Sequence, residues 1–303
     1  MARKRLKKLP TPTQRTATNF NNMRFINVGL LLGILFGVGN IFAATEADQA
    51  ICYKHASDTN LDLLILKPKS GTGLPPGLLY FHGGGWNNGS AERSLGFLKH
   101  FRDAGFVCAS VEYRCRDTHG GTTPMDATRD ARSALRAFVA HAQELGFDTN
   151  KLVVAGGSAG GHLACMTALG DGLGEPDEEK TPAPHVAALL LWNPVVDTTD
   201  NGYGGKKRFG ELTEKYSPVH LLKTNSPPVL VQHGDADQTV PYENAQRFIA
   251  TAEKLGLTCK LVTYPGAKHS FTSGPENKDK LEKSYAEAAA FLKPLKLWPV
   301  DAP

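Results

Sequence analysis

Ser158 lies in Val153-Val154-Ala155-Gly156-Gly157-Ser158-Ala159-Gly160-Gly161, an apolar run that turns at glycines into His162-Leu163-Ala164-Cys165-Met166. A serine at such a corner between strand and helix presents its hydroxyl as a nucleophile elbow does. Glycine is needed at 156 and 160 because a side chain there would collide as strand becomes helix. The motif Gly-x-Ser-x-Gly is short enough to arise by chance, so its reading depends on the other groups acyl transfer requires. Upstream, Leu78-Leu79-Tyr80-Phe81 runs into His82-Gly83-Gly84-Gly85-Trp86, where glycines allow backbone N–H groups to face a developing oxyanion. Gly84, Gly85 and Ala159 are the expected donors, Ala159 because it opens a helix and its N–H has no intrahelical partner.

A serine nucleophile needs a base, and the base needs an acid to orient it. His269, in Pro265-Gly266-Ala267-Lys268-His269-Ser270-Phe271 after an apolar strand, is the expected base, since an imidazole can take and return a proton near neutrality. The turn His233-Gly234-Asp235-Ala236-Asp237 offers two acids. Asp237 is preferred, because Asp235 stands nearer the strand end and is better placed to close the turn; Asp197 is a third candidate. The order Ser158, Asp237, His269 is the one expected when triad residues follow successive strands of one sheet. Among the other histidines, His82 is expected to brace the glycine loop, His162 to cap the elbow helix and His233 to sit near the acid. None has metal-ligand spacing, so no metal and no cofactor is expected. Trp86 either lines a substrate pocket or packs inside.

These residues must be carried by strands, expected near 50–56, 61–67, 77–82, 106–112, 151–156, 187–192, 228–233 and 259–264. Several are continuous apolar runs, as in strands covered on both faces. A helix is expected from Ala127 to Leu145, with apolar residues at 131, 135, 138, 139 and 142. The alternation predicts an α/β protein with a mostly parallel sheet. Two irregular stretches, 170–184 and 197–218, are long enough to be functional or mobile. The second leaves the C-terminal end of a strand, where such sheets bind ligands; it is either a small lid over Ser158, with Tyr203 reaching a sugar or aromatic ring, or a surface excursion.

The first 44 residues hold seven Lys or Arg and no acid, so the net charge of +4 belongs to this leader. No basic cluster remains elsewhere, and nucleic acid is not an expected partner. Arg24 followed by an uncharged stretch from Val28 to Gly39 and then Ile41-Phe42-Ala43-Ala44 reads as a secretory signal. Translation starting at Met23, or an uncleaved N-terminal anchor, are the alternatives. Export to the periplasm or medium is expected, with residues 45–303 as one catalytic domain and no stable membrane span after cleavage. The five cysteines show no disulfide framework, and Cys108 and Cys115 are too far apart along one strand to bridge.

Together, HGGGW, GGSAGG, HGDADQTVP and GAKHSF resemble the α/β-hydrolase serine esterases, and in particular bacterial acetyl esterase and feruloyl esterase-like proteins close to the hormone-sensitive-lipase group. The resemblance spans roughly residues 47–298. It implies an α/β-hydrolase fold with an eight-stranded sheet, an acyl-enzyme route through Ser158, His269 and Asp237, and no cofactor. Too few residues precede the first strands for the large cap of the hormone-sensitive-lipase group, which favours small acyl groups. Acetyl esters, small or on a polysaccharide, are the expected substrates. An amidase or peptidase of the same fold, or a binding protein on this scaffold, are the rival readings.

Overall fold

The computed structural model describes residues 46–56, 59–69 and 73–299; the signal-peptide reading lies outside them. Eight strands form one sheet: β1 (Gln49–Ala56), β2 (Thr59–Leu66), β3 (Pro76–Phe81), β4 (Val107–Val111), β5 (Asp148–Gly157), β6 (Ala188–Trp192), β7 (Val229–Gly234) and β8 (Cys259–Tyr264). Their order is β1-β2-β4-β3-β5-β6-β7-β8. β2 runs antiparallel to both β1 and β4, and the remaining neighbours are parallel. Parallel pairing brings the C-terminal ends of β3, β5, β6, β7 and β8 to one edge, so the loops after them can converge.

The apolar runs follow from burial on both faces. Along β3, Leu78 and Tyr80 pack with Leu95, Leu98 and Phe101 of α1 (Leu95–Asp103) and Tyr285 and Phe291 of α8 (Lys278–Leu292). Leu79 and Phe81 face the other layer, built from α2 (Pro124–Ala140), α4 (Ala159–Leu169) and α7 (Tyr242–Lys254). The described residues form one compact unit within Ala44–Pro303.

All eight expected strands are present. The helix expected over 127–145 starts earlier and is broken. Thr123 accepts from Asp126 N while Asp126 accepts from Thr123 N, a reciprocal cap that starts α2 with Pro124 in its first turn. At His141 the backbone leaves helical geometry and the ring donates to Ala137 O at 2.9 Å; a separate turn, α3 (Ala142–Leu145), follows. The stretch 170–184 is tied down: Arg132 donates from Nε and Nη2 to Glu179 at 2.7 and 3.0 Å and from Nη1 to Met166 O at 3.1 Å. The stretch 197–218 contains α5 (Gly205–Phe209) and leads into α6 (Pro218–Leu221). All five cysteines are free.

The elbow glycines are constrained by backbone, not by flexible side chains. A Cβ on Gly156 would overlap the Gly160 carbonyl, and one on Gly160 would overlap the carbonyl oxygens of Phe81 and His82 at the end of β3. Gly160→Ala therefore has no neighbour able to yield. We expect it to cost about 3 kcal/mol or more of stability, at or beyond the upper end for overpacking, measured as the shift in urea unfolding free energy.

Candidate active site

Ser158 occupies the single residue between β5 and α4 with φ 54° and ψ −122°. A side chain there is sparsely tolerated and costs about 1–3 kcal/mol, which the flanking hydrogen bonds offset. Ser158 N donates to Trp192 O at 2.9 Å, and Ser158 O accepts from His162 N at 3.2 Å and Val195 N at 3.1 Å. The hydroxyl is thereby aimed outward: Ser158 Oγ lies 3.0 Å from His269 Nε2 and can donate to it. His269 Nδ1–H donates to Asp237 Oδ2 at 2.7 Å. The three residues come from the loops after β5, β8 and β7.

Asp237 has a fully buried carboxylate with four donors. Oδ2 also accepts from His233 Nε2 at 3.1 Å, and Oδ1 accepts from the N–H groups of Thr239 and Val240 at 2.8 and 3.0 Å. Burial alone would raise its pKa, but the bonds from His233, His269 and Val240 outweigh burial and hold the carboxyl below the usual carboxylate range. The other two acids are used elsewhere. Asp235 accepts from Gly266 N at 2.6 Å, closing one loop against the next. Asp197 pairs with Arg247 at 2.9 Å and accepts from Thr199 N and Oγ1.

The loop after β3 packs directly on the elbow. A Cβ on Gly83 would lie 3.4 Å from Ser158 Cβ. Gly84, at φ 132°, turns the chain so that its carbonyl accepts from Asn87 N and Asn88 N at 3.0 and 3.3 Å, while Gly85 has φ 61°. Gly83, Gly84, Gly85, Ser158 and His269 share the wall of one open cavity of about 650 Å³. Ala159 is buried at the start of α4. Trp86 does not line this cavity. It is buried, with its ring edge-on to His162 at 5.1 Å and to Phe209 at 5.4 Å. Tyr203 does line it, its ring tilted on Trp86 at 5.9 Å and its hydroxyl beside Gly85.

His82 bonds within its own loop, Nδ1–H donating to Gly83 O at 2.7 Å, and stacks on Tyr113 at 4.2 Å. His162 does not cap the elbow helix with its side chain, as the sequence suggests; its Nε2–H donates to Tyr216 O at 2.8 Å and fastens the stretch after β6. Three further residues contribute, of which the sequence placed only His233, near the acid. His233 grips Asp237. Asn193, at φ 37°, places Nδ2 3.5 Å from His269 Nε2. Arg208 of α5 donates from Nη1 to Gly85 O at 2.7 Å and Asn87 Oδ1 at 2.9 Å, with its guanidinium 5.6 Å from the Tyr203 ring. A histidine four residues before the acid was a visible signal for the first; nothing local marks the other two. Among the described residues no cluster of three or more His, Cys, Asp or Glu side chains could hold a metal ion, and no helix is long and apolar enough to cross a membrane.

An eight-stranded, mostly parallel sheet carrying a serine elbow after its fifth strand defines an α/β hydrolase. The family model described as BD-FAE matches residues 61–251. The chain belongs to the BD-FAE family, among the serine esterases related to the hormone-sensitive-lipase group. Esterase 2 of Thermogutta terrifontis, solved with propionate bound, superposes with a TM-score of 0.78 and 32% identity, over 84% of this chain and 97% of that one. Esterase LipC of Mycobacterium tuberculosis is 27% identical over 216 residues, 65% of this chain and 53% of that protein. An ethyl acetate hydrolase of Pseudomonas putida is 27% identical over 263 residues, 78% of this chain and 80% of that protein. The chain spans about half the length of several curated relatives it matches.

Two consequences are measurable. Burial lowers His82 and His162 from 6.5 to about 4, and raises Glu112, whose carboxylate accepts from Ala91 N, from 4.5 to about 7. Below pH 6.5 the unfolded chain gains protons at both histidines that the folded chain refuses, so stability falls with pH. Glu112 acts oppositely, because the folded chain holds its proton up to higher pH. Burial also lowers the half-buried His100, so the three histidines outnumber Glu112 and leave a net loss of about 1.4 kcal/mol per pH unit or more on acidification. Glu112→Gln keeps an acceptor for Ala91 N–H and removes the opposing group, so the slope between pH 4.5 and 6.5 should steepen by about 1.4 kcal/mol per pH unit in urea unfolding. Separately, Arg208→Ala removes charge-assisted bonds from the Gly85 carbonyl and Asn87. Amide hydrogen exchange across residues 84–88 should then accelerate roughly tenfold, matching the loss of about 1.5 kcal/mol.

Proposed function

We propose that this protein is a carboxylic ester hydrolase acting on short acyl esters. The carrying observation is the pair of bonds from Ser158 Oγ to His269 Nε2 at 3.0 Å and from His269 Nδ1 to Asp237 at 2.7 Å, in the wall of an open cavity. In this reading Ser158 attacks the ester carbonyl while His269 takes its proton, and the tetrahedral oxyanion is held by the N–H groups of Gly84, Gly85 and Ala159. His269 then protonates the leaving alcohol, giving an acyl-enzyme. Water attacks that ester with His269 as base, releasing the acid and restoring Ser158. Asp237 keeps the proton on Nδ1 and stabilises the imidazolium that forms twice per turnover.

Support for a short acyl group comes from relatives. One is named for ethyl acetate, and the Thermogutta esterase is solved with propionate and with butyrate bound. The cavity lining is rich in hydroxyls and amides, among them Asn87, Asn88, Thr239, Thr272 and Ser273, which supports a polar alcohol such as an acetylated sugar of a polysaccharide. The basic-then-apolar leader supports an exported enzyme whose catalytic domain follows residue 44.

Hydrolysis of p-nitrophenyl esters from acetyl to dodecanoyl checks the reading on protein lacking residues 1–44. Activity should peak at acetyl to butyryl and fall at least about a thousandfold in Ser158→Ala. A peak at long chains would refute the short-acyl assignment, and activity surviving without the hydroxyl would refute the nucleophile.

A further inference from the structure

Resting on the ester-hydrolase reading, we propose that Arg93 makes this site selective for esters whose alcohol part carries an anionic group, a carboxylate or a sulfate.

The charge inventory of the cavity is lopsided. Among the described residues its lining contains no aspartate and no glutamate, and Arg93 is the one permanently charged side chain in it. Among the described residues no carboxylate pairs with Arg93 and no hydrogen bond engages its guanidinium. The arginine nearby is committed: Arg208 spends Nη1 on the Gly85 carbonyl and the Asn87 amide. Glu92, next to Arg93 in sequence, is exposed, does not line the cavity and makes no ion pair with it. The charges of Arg93 and Glu92 both reach His82, acting in opposite directions on its protonation, but only Arg93 lines the cavity. A guanidinium offers a planar fork of donors that matches carboxylate or sulfate oxygens two at a time. The neutral hydroxyls that share the lining with it, including Ser94 and Ser273, suit the rest of a polyol.

The position of Arg93 selects the alcohol side. It stands in the turn Ala91–Ser94 that leads into α1. Phe97 of α1 packs on Tyr285 of α8 at 5.1 Å, and Tyr285 donates its hydroxyl proton to Phe97 O at 3.0 Å. Tyr285 and Leu281 line the cavity together with Ser270, Thr272 and Ser273, and this loop carries His269. Arg93 therefore belongs to the wall continuous with the group that must hand its proton to the leaving alcohol oxygen. In this proposal the departing alcohol runs along this wall, so that an anion on it meets Arg93 and one on the acyl group does not.

The test compares three esters: 4-acetoxybenzoate, its neutral methyl ester, and 4-nitrophenyl hemisuccinate, whose charge lies on the acyl side. For Arg93→Gln the preference for 4-acetoxybenzoate over the methyl ester, as a ratio of kcat/KM, should fall roughly two- to fivefold, as expected for one exposed charge pair. The change should appear mainly in KM, and Arg93→Glu should lower the ratio further. In the wild-type protein the preference should shrink as salt rises. Arg93 is exposed, and an unchanged thermal midpoint of Arg93→Gln establishes that the variant is folded. An unchanged ratio overturns the proposal. A drop confined to the hemisuccinate overturns its alcohol-side assignment. If the wild-type protein hydrolyses none of the three, the ester-hydrolase reading itself fails and takes the proposal with it.

Discussion

The close approach of the elbow to the end of β3 is the constraint on which the site depends. Ser158 can hold a positive φ only because α4 begins immediately, its first turn lying on the backbone of Phe81 and His82. No side chain fits between them, so Gly156 and Gly160 are required by carbonyl oxygens that cannot move aside. The same contact sets the glycine loop after β3 against Ser158. Trp192 O, at the end of the neighbouring strand, accepts the Ser158 N–H. Three strand ends thus determine one hydroxyl's direction, and the sheet's parallel order makes that possible.

Around this point the electrostatics are arranged by burial and satisfied bonds. Asp237 would be costly as an isolated buried charge. Four donors compensate it, two from the backbone of its own turn and two from histidines on different sides. The second histidine, His233, is fully buried, with its Nδ1 unpartnered among the described residues. Its Nε2 also lies 3.0 Å from Val240 O, so the ring is held between the acid and the backbone of the same turn. Asp237 is therefore clamped from behind while one lone pair faces His269.

The stretch after β6 is attached to the same centre at several points. His162, from the elbow helix, holds Tyr216 O. Trp86 fills the space between His162 and Phe209, and Arg208 bonds the glycine loop. Tyr203 brings this stretch into the cavity wall, and through Arg208 the geometry of Gly85 depends on a segment more than a hundred positions away. Residue 86 shows how the same feature changes meaning: an aromatic beside the glycine loop is part of this internal packing and contributes nothing to the lining.

The eight strands, the elbow glycines and the order of Ser158, Asp237 and His269 were legible in the sequence because each depends on local rules: apolar runs for strands covered on both faces, glycine where a carbonyl stands too close, chain order where loops follow successive strands. The break of the long helix at His141 was not, since apolar spacing continues across it and only a ring bonding to Ala137 O reveals the stop. Nor could the sequence rank Asp235 against Asp237 by more than turn position; the difference lies in which carboxylate meets His269 and which meets Gly266 N, residues some thirty positions downstream. Arg208 and Asn193 carry no local signature at all. By itself the sequence determined which residue types could do the chemistry and the elements that carry them. Only the tertiary structure decided how they meet, because hydrogen bonds between distant loops and the space left by packed rings are properties of the folded sheet, not of any stretch of chain.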